Sequence, residues 1–322
     1  MEKALITGVT GFVGSHLADR LVNAEVEVHG IRRHRSREEF TNLKVHYHEG
    51  DITDQIAMNE IVNEVKPDYV FHLAAQSFVP ASWTNPVATL YCNVIGTTCV
   101  LEACRKFSPD AVVQVAGSSE EYGFVYPTEC PITEDQPLHP FSPYGVSKVT
   151  TDFLAQQYRK SYGMNTLVTR AFNHTGPRRG ESFICSKIAK KLALVKLDKE
   201  PPVLSLGNLK AVRDFTDVRD MTKAYWMAAN YCRHYPEFGG PVNIGSEKAT
   251  SIQEVVNTFL EIFNDEDSHF VIEQDPKMMR PSDVPFLLCD CSYFKKTVGW
   301  EPAYPFKQTL KDLLDYWVEK LS

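Results

Sequence analysis

Short β-rich runs alternate with helix-period stretches through the first half of the chain, and this alternation restricts the fold more than any other feature. Lys3–Thr7, Glu25–Ile31, Val45–Glu49, Tyr69–Leu73, Ala111–Ala116 and Thr166–Arg170 read as strands. Helices are expected over Phe12–Asn23, Gln55–Val65, Pro86–Phe107 and Pro143–Tyr162. The strands are too apolar to leave one face wet, so they call for a parallel sheet covered by helices on both sides, a doubly wound α/β fold. Beyond Phe172 the rhythm loosens. A smaller C-terminal region over 173–322 is expected to hold a ligand, with helices near Phe183–Lys196, Ser251–Phe263 and Phe306–Lys320. Residues 1–172, joined by parts of 212–245, should form the sheet domain.

Charge and cysteine usage exclude several function classes. Lys and Arg number 34 against 41 Asp and Glu, a formal net charge of −7, so no general basic surface invites nucleic acid or an anionic membrane. An anionic ligand has to be held locally. The eight cysteines are scattered without CxxC pairs, which argues against a metal site and against a disulfide framework. Met1 runs almost directly into Ala4-Leu5-Ile6, and no stretch approaches roughly 18 uninterrupted apolar residues. A cytoplasmic globular protein is expected.

In open α/β sheets the informative residues follow the carboxyl ends of the strands. After the first strand stands Thr7-Gly8-Val9-Thr10-Gly11-Phe12-Val13-Gly14. Glycines there let backbone N–H groups and the helix N-terminus approach a pyrophosphate closely. A bare glycine triplet is a weak signal, but its place between the first strand and first helix makes a dinucleotide loop the better reading. After the second strand, Arg32 and Arg33 open the run Arg32-Arg33-His34-Arg35, where an NAD site would carry an acid on the ribose hydroxyls. Guanidinium groups suit a 2′-phosphate, so NADP is favoured over NAD, against the alternative of a solvated basic loop. Asp51 and Ile52 follow the third strand, at the adenine. Leu73, Ala74 and Ala75, with Ser77 close behind, follow the fourth, on the nicotinamide side; the small residues equally suit tight helix–sheet packing.

Tyr144 and Lys148 stand four apart on an expected helix, hence on one face. A phenol is a poor base at neutral pH, but a neighbouring ammonium and a positively charged nicotinamide favour the phenolate, which can move a proton at a sugar hydroxyl. Ser118, just past the fifth strand, can hydrogen-bond the oxygen being oxidised or reduced. Glu120 adds a carboxylate at the same rim, or is an exposed loop acid.

Together the glycine loop, the Ser118 segment and the Tyr144/Lys148 pair resemble an extended short-chain dehydrogenase/reductase acting on a nucleotide sugar, which implies a Rossmann sheet domain. The chain is similar to the GDP-mannose 4,6-dehydratases and to the GDP-4-keto-6-deoxy-mannose reductases. The stretch Asn173-His174-Thr175-Gly176-Pro177-Arg178-Arg179-Gly180-Glu181-Ser182-Phe183 carries the dehydratase likeness, while Arg213-Asp214 and Arg280-Pro281-Ser282-Asp283-Val284 fit both families. The resemblance implies that Asn173, Lys187, Arg213 and Arg280 hold a GDP-sugar and that His174 and Arg179 help hold NADP. Relatives commonly form homodimers or homotetramers.

Departures are specific. Ser118 stands where the dehydratases usually carry Thr, and Ser118-Ser119-Glu120-Glu121-Tyr122-Gly123 is worded closer to the reductases. The leading expectation is a dehydratase: Tyr144 takes the C4 hydroxyl proton during hydride transfer to NADP, Glu120 removes the C5 proton, water leaves from C6 and hydride returns there. A cofactor that never leaves calls for a clasping loop, for which Arg32–Arg37 is the candidate. Alternatives are an NADPH-dependent reductase with Glu120 a bystander, a 4-epimerase, or a cofactor-sensing protein that has lost its chemistry.

Overall fold

The structure is a computed structural model that describes residues 1–34, 40–263, 270–276 and 284–322. In chain order its elements are β1 (Lys3–Thr7), α1 (Phe12–Asn23), β2 (Glu27–Arg32), β3 (His46–Glu49), α2 (Gln55–Val65), β4 (Tyr69–His72), α3 (Val79–Thr84), α4 (Pro86–Leu90), α5 (Gly96–Phe107), β5 (Val112–Ala116), α6 (Pro143–Tyr162), β6 (Thr166–Ala171), β7 (Asn173–Thr175), α7 (Ile184–Lys196), β8 (Val203–Leu206), β9 (Val212–Asp217), α8 (Val218–His234), β10 (Pro241–Ile244), β11 (Ala249–Ser251), α9 (Ile252–Phe263), β12 (Val271–Gln274), α10 (Ser292–Val298) and α11 (Phe306–Leu321).

Seven strands pair in the order β10-β6-β5-β4-β1-β2-β3, and every pair is parallel. The inner strands bury both faces, with Leu5, Ile6, Val70, Phe71, Val113 and Leu167 removed from solvent, which is why they lack polar alternation. Helices α2, α5 and α6 cover one face; α1 and α8 cover the other. The chain runs outward from β1 to β2 and β3, then returns to place β4 on the other side of β1. That reversal opens a crevice above the carboxyl ends of β1 and β4, the natural ligand position of such a sheet.

Local signals set the element that carries the chemistry. α6 starts where the Ser142 hydroxyl accepts the Gly145 N–H at 3.0 Å with Pro143 in the first turn, and stops at Gly163 in a left-handed conformation, φ +69°. Two of the elements outside the sequence-based expectation complete the large sheet domain. Val218–His234 is a helix, and Pro241–Ile244 extends the large sheet past β6 as an edge strand; four residues beginning with proline are too short for alternation to register. The helix expected over Pro86–Phe107 is continuous in direction but passes through a π-helical turn at Tyr91–Ile95, where Asn93 turns inward. This run is long and apolar enough to cross a membrane by length and composition, yet half of its most apolar window is buried inside the fold. In the C-terminal part, α7, α9 and α11 close over β8 and β9 around Ile188, Leu204, Phe215, Phe259, Leu313 and Trp317.

Candidate active site

A cleft of about 1020 Å³ lies above the carboxyl ends of the sheet. At its first end, Gly8 adopts φ +70° with its Cα facing the backbone of Ala74, so that a Cβ there would come within 3.0 Å of the Ala74 Cα. A Cβ on Gly14 would stand 2.2 Å from the Gly8 carbonyl oxygen. Close packing of turn on helix therefore requires both glycines. Gly11 precedes α1 without a side chain to cap it, so the first-turn N–H groups face the cleft, the arrangement that suits a phosphate. Thr10, Phe12, Val13, Arg32, Arg33, Asp51, Ile52, Leu73, Ala74, Ala75 and Ser77 also line the cleft. The Thr53 amide, bonded at 2.9 Å, holds the Asp51 carboxyl below its ordinary range.

A buried polar frame fixes this floor. Thr7 Oγ1 accepts the N–H groups of Leu73 and Ala74, each at 3.1 Å, and lies 2.9 Å from His72 Nδ1. Burial pushes His72 down to about 3, so it is neutral; with Thr7 donating to Nδ1, its Nε2–H donates to Thr97 Oγ1 at 2.9 Å. Thr97 in turn donates to the Asn93 carbonyl at 2.7 Å. The Asn93 amide then donates to Ser147 Oγ at 2.8 Å and to the Gln76 carbonyl at 3.1 Å. The π-turn thus ties the loop after β4 to the helix bearing Tyr144, a common setting for such turns.

Ser118, Glu120, Tyr144 and Lys148 line the same cleft. Ser118 Oγ accepts the Glu120 N–H at 3.2 Å and lies within hydrogen-bonding reach of the Tyr144 phenol. Burial raises the phenol above its ordinary range, and that contact pulls it back. Lys148 Nζ donates to the Ala116 carbonyl at 2.6 Å and sits 5.8 Å from the Tyr144 ring centroid. Burial pushes this ammonium down to about 8. Glu120 is half-buried at the rim.

The C-terminal part supplies the opposite wall. Asn173, His174, Arg179, Lys187 and Arg213 line the cleft; Arg280, like Arg35 and Arg37, lies outside the described residues. His174 Nδ1 donates to the Phe172 carbonyl at 3.0 Å, its ring stacks on Phe12, and burial with Arg179 lowers it to about 4. The Arg179 guanidinium stands 4.7 Å from the Phe12 ring centroid and 3.4 Å from that of Phe183. Its buried Nε has no hydrogen-bond partner among the described residues, an orphan that an anionic ligand would satisfy. Of the described charged residues lining the cleft, six are basic and two acidic, so a chain of net charge −7 keeps a cationic cleft.

This geometry has relatives of known name. A match to the GDP-mannose 4,6 dehydratase family runs over residues 5–313. The GDP-mannose 4,6-dehydratase of Vibrio cholerae is 33% identical over 350 residues, covering 97% of this chain and 92% of its own length. The chain belongs to the GDP-mannose 4,6-dehydratase family. Among solved structures, RMD from Pseudomonas aeruginosa, complexed with NADPH, superposes with a TM-score of 0.85 at 27% identity, covering 99% of this chain and 100% of that one. The UDP-glucose 4-epimerase of Thermus thermophilus, in complex with NAD, does so with 0.86 at 26% identity, covering 98% of both chains.

For a member of the GDP-mannose 4,6-dehydratase family, the missed residues are as telling as those expected. Sequence reading did not single out Thr7, His72, Asn93, Glu121, Asp152, Arg170 or Tyr225. Tyr225 reaches the cleft from α8, on the face of the sheet opposite Tyr144. One signal was available: Arg170 interrupts the apolar run Leu167–Ala171, and a charge inside a buried strand requires a buried partner.

Proposed function

We propose that the cleft holds NADP and GDP-mannose together and eliminates water across C5 and C6 of the sugar, giving GDP-4-keto-6-deoxy-mannose. The observation that carries this reading is the meeting, in one cleft, of the Ser118–Tyr144 pair, the Lys148 ammonium and the Glu120 carboxylate. The residues present fit a dinucleotide: Gly8 and Gly14 form a cradle that a Cβ would fill, and Arg179 offers an unmatched donor. Arg32 and Arg33 at the end of β2 favour the 2′-phosphate of NADP. When bound, the nicotinamide supplies a reversible hydride acceptor for C4 and donor for C6.

Tyr144, as the phenolate favoured by Lys148, takes the proton of the C4 hydroxyl, while the Ser118 hydroxyl orients the same oxygen. The resulting ketone acidifies the C5 proton, which Glu120 removes. That proton then leaves with the C6 hydroxyl as water. Asn173, Lys187, Arg213 and Arg280 hold the GDP moiety, and His174 and Arg179 support the cofactor. Purified enzyme given GDP-mannose and no reductant should form the 4-keto-6-deoxy sugar; unchanged substrate refutes the reading.

A second reading, NADPH-dependent reduction of a 4-keto sugar by the same Ser118, Tyr144 and Lys148, has the likeness to RMD in its favour. Glu120→Gln separates the two, since dehydration collapses while plain reduction survives. A homodimer is favoured by exposed apolar side chains on adjoining helices: Leu90, Tyr91 and Ile95 on the run Pro86–Phe107, and Val146 and Phe153 on α6. All eight cysteines are free thiols, which suits a reducing cytoplasm.

A further inference from the structure

Glu121 has no part in the chemistry above, yet it is fully buried directly beneath it. The turn Ser119–Glu121 is a reciprocal cap: Ser118 Oγ accepts the Glu120 N–H, and Glu121 Oε1 accepts the Ser118 N–H at 2.6 Å. Its second oxygen, Oε2, receives no hydrogen bond from the described residues. Arg170 Nε, its ion-pair partner among the described residues, is 3.5 Å away and is committed to Asp152 Oδ2 at 2.7 Å. Asp152 is within hydrogen-bonding reach of Glu121 and is itself fully buried.

Two adjoining carboxylates and one matched arginine leave an ionised Glu121 with an orphaned oxygen next to a like charge. As a carboxylic acid, the same oxygen donates to Asp152 and both defects vanish. We propose that Glu121 is a positioning residue that works as a neutral acid: one oxygen fixes the Ser118 turn, its proton is held against Asp152, and the Lys148 charge is left unmatched beside the Tyr144 phenol.

The charge balance around the group follows from each element packed on it. On α6, Tyr144, Lys148 and Asp152 recur every fourth residue on one buried face. From β6, Arg170 cancels Asp152 and also donates to the Tyr122 hydroxyl and the Glu134 carbonyl, each at 3.1 Å. The Glu134 carboxyl is turned to the Asn243 N–H at 2.8 Å, and Glu120 lies on the same turn but lines the cleft. With Glu121 neutral, the cluster carries one net positive charge at Lys148, which favours the phenolate. An ionised Glu121 would cancel it.

This inference rests on Tyr144 and Lys148 being the proton relay, so one of its tests needs no turnover. Infrared difference spectra of the full-length protein at neutral pH, wild type minus Glu121→Gln, should contain a protonated-carboxyl C=O band that shifts in D2O; its absence overturns the proposal. In the reductant-free assay, Glu121→Gln should lower kcat only a few-fold and leave the midpoint of the acid limb of kcat/KM in place. A midpoint about one pH unit lower would mean that an anion had been removed, and the proposal fails. Glu121→Leu, which cannot accept the Ser118 N–H, should lower kcat roughly ten- to a hundredfold with little change in KM. A Leu variant as active as the Gln variant also overturns it. Should the Leu variant not fold, the Gln variant and the infrared band decide.

Discussion

Replacing Lys148 with methionine should make the protein more stable and nearly inactive. The ammonium is 7% exposed, and its displacement from the ordinary 10.5 to about 8 means that the fold disfavours its charged form by about 3 kcal/mol. Methionine has a similar length, buries its stem in the same slot and carries no charge. The variant forfeits the charge-assisted bond to the Ala116 carbonyl, worth about 1.5–2 kcal/mol, leaving a net gain of about 1–2 kcal/mol. For a chain of this size that corresponds to roughly 1–3 °C in Tm. The pH dependence gives the sign. Below about pH 8, folded and unfolded chains both carry the proton and the wild type bears the whole penalty. As pH rises from about 8 towards 10.5, the folded wild type sheds the proton first, and its disadvantage against Lys148→Met closes. Thermal denaturation of both proteins across that range measures the closing gap, while dehydratase turnover should fall roughly 10²–10⁴-fold. A variant less stable than wild type at neutral pH would refute the reasoning, because it would show Lys148 paired with an ionised Glu121 that its removal strands.

Gly14→Ala puts a methyl group 2.2 Å from the Gly8 carbonyl oxygen, and both neighbours are backbone, so the turn must shift; we expect a folded protein whose cofactor dissociation constant, measured by titration, rises about tenfold or more. Arg32→Ala with Arg33→Ala should lower the preference for NADP over NAD by roughly ten- to a hundredfold in kcat/KM, and an unchanged ratio would reduce that basic run to a solvated loop. Phe153→Asp, at a side chain that is 55% exposed on α6, should shift the mass by light scattering from dimer to monomer; a monomeric wild type removes the proposed pairing face.

The sheet and its helices were largely legible because their determinants are local. β1, α1 and α6 fall on the bounds that their residues dictate, for the cap at Ser142, the proline at 143 and the glycine at 163 lie within a few residues of the ends they set. The two-residue slip at the start of β2 has an equally local cause: Glu25 takes φ +59° and turns the chain before the strand begins at Glu27. β10 was not legible, since its place at the sheet edge depends on pairing with β6 about 70 residues earlier. The cleft residues were legible one strand end at a time, as the fold gathers those ends on one rim.

What the residue order could not give is the direction in which neighbouring side chains point once the turn is made. Glu120 and Glu121 are the same residue type side by side, and periodicity gives no reason to assign them different work. The short turn Ser119–Glu121 separates them: Glu120 lines the cleft, whereas Glu121 is sealed below it between α6 and β6. Solvent reaches the first, so its carboxyl can exchange protons. The second meets Asp152, Arg170 and the field of Lys148, groups brought to it by two other segments of the chain, α6 and β6. On the proposed mechanism one acid carries the reaction's proton and the other keeps its own, a division of labour set by the sheet beneath the turn.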